Sequence, residues 1–156
     1  MINRDRLVQE FLELVAIDSP SGDEDAIAEE LVRRLEALGV EASQDEHGNV
    51  LGRRPGVGEP ILLSAHMDTV EPGRGIQPVF DGPDIIRSDG TTILGADNKA
   101  GCAVILEVIR SANEDDAETR PIEVAISRGE EIGLVGASNM DYSRVSARVA
   151  LVVDSG

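Results

Sequence analysis

The chain has 156 residues, one domain's worth, and its 41% apolar and 28% charged content marks a folded chain with a core, not a disordered one. Thirty acidic against 14 basic residues give a net charge of −16, which argues against a nucleic-acid or anionic-membrane partner and leaves cations open. No apolar run approaches the ~18 residues of a membrane span, the N-terminus lacks a signal-peptide core, and the lone Cys102 rules out an internal disulfide and a Cys-x-x-Cys metal site, so a cytoplasmic protein is expected.

Leu7, Val8, Phe11, Leu12 and Val15 recur at helical spacing and predict a first amphipathic helix ending before Asp18. Ser21 with Glu24 three residues on reads as a capping box for a second helix, carried by Ile27, Leu31, Leu35 and Leu38 and stopped at Gly39. Short strands are expected at 40–42 and 49–53 about a His47-Gly48-Asn49 turn, and a buried strand at 61–65. Residues 71–95, rich in Gly, Pro and Asp, read as loops with an excursion hairpin. A helix follows over 99–112 on the stripe Ala100, Val104, Val108 and Ala112. Residues 113–121 form a polar link, 122–126 and 149–153 are strands of the buried type, and 134–140 is a short helix. Strands alternating with helices predict an α/β fold, a mostly parallel sheet flanked by helices.

In such sheets sites form where strands end, so polar residues just past strand ends are the candidates. Four segments qualify: His66-Met67-Asp68, Glu130-Glu131, Asp154, and the loop at Asp97 that opens a helix. Each alone has an ordinary reading: a structural histidine, solvated glutamates at a helix start, a turn residue, a helix cap. His66 and Asp68 lie two apart in an extended segment and point the same way, so one can ligate while the other orients it. Taken together the four supply imidazole and carboxylate with no thiol, which suits Zn²⁺, Mn²⁺ or Co²⁺. Cys102 reads as a core thiol and His47 as a surface turn residue.

The strings Ser-Ala-His66-Met-Asp68-Thr-Val, Gly-Ala-Asp97-Asn-Lys-Ala-Gly, Glu130-Glu131-Ile-Gly-Leu and Val-Val-Asp154-Ser-Gly resemble the peptidase T branch of the aminoacylase/carboxypeptidase zinc metallohydrolases, in order and spacing over nearly the whole chain. The resemblance implies a metal-dependent peptide hydrolase like a tripeptide aminopeptidase, with two zinc ions per complete site. His66, Asp97 and Asp154 would hold one ion, Asp97 would bridge to a second on Glu131, Asp68 would orient His66, and Glu130 would be the general base. It also implies a cis peptide after Asp97, a small peptide or N-acyl amino acid as substrate, and a homo-oligomer when full length. An N-acyl-amino-acid deacylase or carboxypeptidase of the same superfamily is the alternative, and an inactive metal-binding fragment the alternative from another class. The family's late histidine ligand and lid domain have no counterpart in these residues. Residues 1–156 are therefore expected to form the N-terminal portion of a catalytic domain, incomplete and without its lid. Asn98 and Gly129 stand where the family commonly carries acidic residues.

Overall fold

A computed structural model of the protein describes residues 1–115 and 118–154. Asn3 caps α1 (Arg4–Val15) by accepting the Arg6 N–H at 3.1 Å, and Phe11, Leu14 and Val15 are buried along it. Helix α2 (Asp25–Ala37) buries Ile27, Ala28, Leu31 and Leu35. It stops at Gly39 as expected: with φ at +77°, the Gly39 and Val40 N–H groups turn back to the carbonyls of Glu36 and Leu35. Its start differs from expectation. Glu24 sits at the cap position without a side-chain cap bond, so no capping box forms.

Strands β1 (Glu41–Gln44), β2 (Val50–Arg54) and β3 (Ile61–His66) follow. The expected excursion is a hairpin of β4 (Pro78–Phe80) and β5 (Ile86–Ser88). Then come α3 (Ala96–Glu114), β6 (Ile122–Ser127), α4 (Val135–Asn139) and β7 (Ala150–Val152). The main sheet has the order β1-β2-β6-β3-β7. Pairings β6–β3 and β3–β7 are parallel, and β1–β2 and β2–β6 are antiparallel. The sheet is thus mixed, and the parallel expectation holds for the half that carries the strand ends of interest. The turn at His47 is too short for the crossover that a parallel β1–β2 pair needs.

Alternation sorts the sheet's two faces. Val50, Leu63, Ala65, Ile122, Val124 and Ile126 join the buried faces of α1, α2 and α3 in the main core. Leu51, Ala125 and Met140, with Leu62, form a smaller cluster on the other side. The buried face of α3 is Cys102, Ala103, Ile105, Leu106 and Ile109, one step round from the expected stripe, and Ala100 is exposed. That helix is apolar on most sides, so periodicity alone does not fix its orientation. Strand β7 also departs from its buried reading: Leu151 is 55% and Val152 66% exposed. Their apolar character announces a strand but not what covers it.

Candidate metal centre

The three parallel strands bring their C-terminal ends to one edge. Central β3 ends in His66, with Met67 and Asp68 following; β6 leads to Glu130 and Glu131; β7 leads to Asp154. Asp97 comes from the start of α3, where Gly95 (φ +72°) turns the chain. Asp97 and Asn98 have non-helical backbone, and their shared peptide is cis, as the resemblance implies. The regular helix therefore begins near Lys99. Its cap is Asn98, whose Oδ1 accepts the Gly101 N–H at 3.1 Å; the ordinary cap reading of Asp97 does not hold.

His66 and Asp68 are almost completely buried. His66 Nδ1 donates to Asp68 Oδ1 at 3.2 Å, while Nε2 lies 3.0 Å from Asp97 Oδ1 and 4.0 Å from Glu130 Oε2. Asp68 Oδ1 also accepts the Glu130 N–H at 2.9 Å, and Oδ2 accepts the Glu131 N–H at 3.1 Å and the Ser21 hydroxyl at 2.7 Å. One ligand atom each from His66, Asp97 and Glu131 lie within 4.8 Å of one another. Asp154 is outside that trio. It shares a hollow of about 360 Å³ with Asp97, Asn98 and Val104, and its charge acts on His66.

The electrostatics follow from this geometry. Burial pulls the His66 imidazolium down, but hydrogen bonding and charge from Asp68, with the Asp97 bond and the Asp154 charge, outweigh it and lift its pKa to about 9. Burial raises the Asp68 carboxyl, yet its bonds from His66, Ser21 and the backbone of Glu130 and Glu131 bring it down to about 2. Glu131 is raised by burial first and then by the Asp97 charge. Asp68 is thus an ionised acceptor that holds a proton on Nδ1 and turns Nε2 toward Asp97, and a metal ion binding at Nε2 would displace the proton there.

The site has supports that sequence reasoning missed. Ser21 reaches Asp68, and Glu24 accepts the Gly129 N–H at 3.0 Å and the Arg128 guanidinium at 2.7 Å. Their Ser-x-x-Glu spacing is the one visible signal, and it points equally to a cap. Lys99, fully buried, donates to the Ile17 carbonyl, and burial lowers its pKa to about 8 against the charge of Asp18. Cys102 is the core thiol expected; burial pushes it up to about 12. His47 is exposed in its turn. Among the described residues, no helix is long and apolar enough to cross a membrane.

Residues 49–155 match Peptidase family M28. The chain is 40% identical to the protein YqjE of Bacillus subtilis over 99% of its own length and 44% of that protein's. Among solved structures it is similar to a tripeptidase from Staphylococcus aureus, with a TM-score of 0.95 and 37% identity, over 100% of this chain and 44% of that one. It is also similar to the aminopeptidase PepT from Bacillus cereus, with a TM-score of 0.94 and 42% identity, over 99% and 44% of the two chains. The chain therefore spans less than half the length of these relatives.

Proposed function

The chain belongs to Peptidase family M28, and from that premise we propose that its site serves a zinc-dependent hydrolysis of small peptides, resembling that of a tripeptide aminopeptidase. The observation that carries the reading is the convergence of His66, Asp97 and Glu131 donor atoms within 4.8 Å. Donors about 2.0–2.2 Å from one tetrahedral zinc stand about 3.5 Å apart, and donors on two ions that share a carboxylate stand further apart, so a spread of 4.8 Å leaves room for Asp97 to serve both His66's ion and Glu131's. One imidazole with carboxylates and no thiol fits Zn²⁺, and Mn²⁺ or Co²⁺ nearly as well.

In this reading His66, Asp97 and Asp154 would hold one ion, and Asp97 and Glu131 would hold a second. Bound there, the ions would polarise the scissile carbonyl and acidify the attacking water. The rest is the work of the chain. Asp68 keeps the proton on His66 Nδ1, leaving Nε2 as the donor atom. Glu130, whose Oε2 lies 4.0 Å from that Nε2, takes the proton from the water and delivers it to the leaving amine. Adjacent side chains diverge, which lets one glutamate face a metal and the other the substrate. A cytoplasmic location and assembly into a homo-oligomer belong to the same proposal.

Zinc-supplemented full-length protein, offered an unblocked tripeptide and its N-acetylated form, tests the reading. Cleavage of the unblocked peptide, lost with a chelator and restored by zinc, is the expected result. Hydrolysis confined to the acylated compound would favour a deacylase, and bound zinc with neither substrate cleaved would contradict a peptidase.

A further inference from the structure

We propose that Ser21 is a positioning residue of the metal centre, acting through Asp68. This rests on the metal reading above and extends it to a residue outside the four strand-end segments.

The geometry begins with the connection between α1 and α2. Ser19, Pro20 and Ser21 run beside residues 67–69 as a short parallel ladder. The Thr69 N–H donates to the Ser19 carbonyl at 3.0 Å, and the Ser21 N–H donates to the Thr69 carbonyl at 3.2 Å. The fully buried Ser19 hydroxyl donates to the Met67 carbonyl at 2.8 Å. This bridge holds Ser21 beside the 67–69 segment, and its hydroxyl reaches back to donate to Asp68 Oδ2 at 2.7 Å, a charge-assisted bond. Lys99, one turn into α3, donates to the Ile17 carbonyl and ties the same connection to the helix that presents Asp97.

Asp68 accepts four bonds, two on each oxygen. Three come from the site it organises: His66 Nδ1 and the N–H groups of Glu130 and Glu131. Those three partners belong to the site itself, and the two amides are held in turn through Gly129 by Glu24. The Ser21 bond comes from a separate part of the fold and ties the carboxylate to a fixed element. Without that hydroxyl, Oδ2 keeps the Glu131 N–H alone, and the carboxylate is free to rock about its Oδ1 contacts. Each small rotation swings the His66 ring and shifts the backbone at Glu130 and Glu131, so the donor atoms of His66 and Glu131 lose their alignment together. Ser21 touches neither metal donor and no substrate; its effect passes entirely through Asp68.

The test is zinc affinity, measured by competition with a chromogenic chelator, for wild type, Ser21→Ala and Ser21→Thr, together with thermal melting of each metal-free protein. Partners of metal-ligating groups typically contribute 10–100-fold in affinity. Ser21→Ala is expected to weaken zinc binding about tenfold while its metal-free melting stays near wild type, and Ser21→Thr, which keeps the hydroxyl, restores affinity to within about threefold. Ser21→Ala binding zinc as tightly as wild type would overturn the proposal, and so would Ser21→Thr failing as Ser21→Ala does. A wild-type protein that binds no zinc would instead overturn the metal reading on which the proposal rests.

Discussion

Asp68 illustrates how one carboxylate sets several others. Its two oxygens take four donors, so an amide in its place turns one end into a donor facing N–H groups. Asp68→Asn is therefore expected to cost about 10–100-fold in zinc affinity, read by the same chelator competition, although Asp68 is no ligand in this account. The candidate residues His66, Asp68, Asp97, Glu130, Glu131 and Asp154 are legible in the sequence because each stands at a strand end or opens a helix, and of these the structure draws the donor atoms of His66, Asp97 and Glu131 together. Ser21 and Glu24 are not legible in this way. Their spacing is that of a capping box, and only the tertiary fold shows that both side chains turn away from α2, toward Asp68, the Arg128 guanidinium and the Gly129 N–H. Local sequence states which hydrogen bonds are available to a side chain, and distant neighbours decide which are made.

At the scale of elements, the start of α3 is a tight joint. A Cβ on Gly101 would lie 2.2 Å from Asn98 Oδ1 and 2.4 Å from the Val153 carbonyl. The glycine lets the helix approach the segment that carries Asp154 and lets Asn98 cap it. Gly101→Ala is expected to destabilise the fold by about 1–3 kcal/mol in urea titration, since overpacking forces backbone apart, and to part Asp154 from Asp97. Helix α3 also marks a limit of periodicity. Its existence was plain in the sequence, but its buried side was misjudged by one step, because Ala100, Val104 and Val108 are as apolar as the residues that face the core. The stripe at Ala100 and Val104 instead borders the hollow shared with Asp154. Leu106, at the centre of the true face, is fully buried, and Leu106→Ala should cost about 2–5 kcal/mol by the same measurement.

Across the whole molecule, ion pairs tie elements distant in sequence. Glu107 of α3, almost fully buried, accepts from Arg6 of α1 at 2.7 Å and from the Asn3 N–H at 2.7 Å. The Arg6 bond, more than the opposing effect of burial, holds the Glu107 carboxyl at about 2 against an ordinary 4.5. A carboxyl depressed in the folded state binds fewer protons there than in the unfolded chain. Its contribution is complete above about pH 4.5 and is lost as pH falls toward about 2. The urea midpoint should therefore fall through this window, and Glu107→Gln should lower it at pH 7 while flattening the fall. The overall architecture was largely readable: helices at both ends of the first segment, the excursion hairpin, and strand ends gathered at one edge. Strand direction in β1 and β2 and the exposure of β7 were not, because pairing partners and cover come from the rest of the fold and leave no periodic trace.

The central claim is that these strand ends form a metal centre in which Asp97 is a ligand and Glu130 is not. Zinc content after dialysis, measured on wild type, Asp97→Ala and Glu130→Gln, tests it most directly. Zinc is expected to stay with wild type and with Glu130→Gln and to be lost from Asp97→Ala. Equal zinc in all three proteins, or equal loss from both variants, would contradict it.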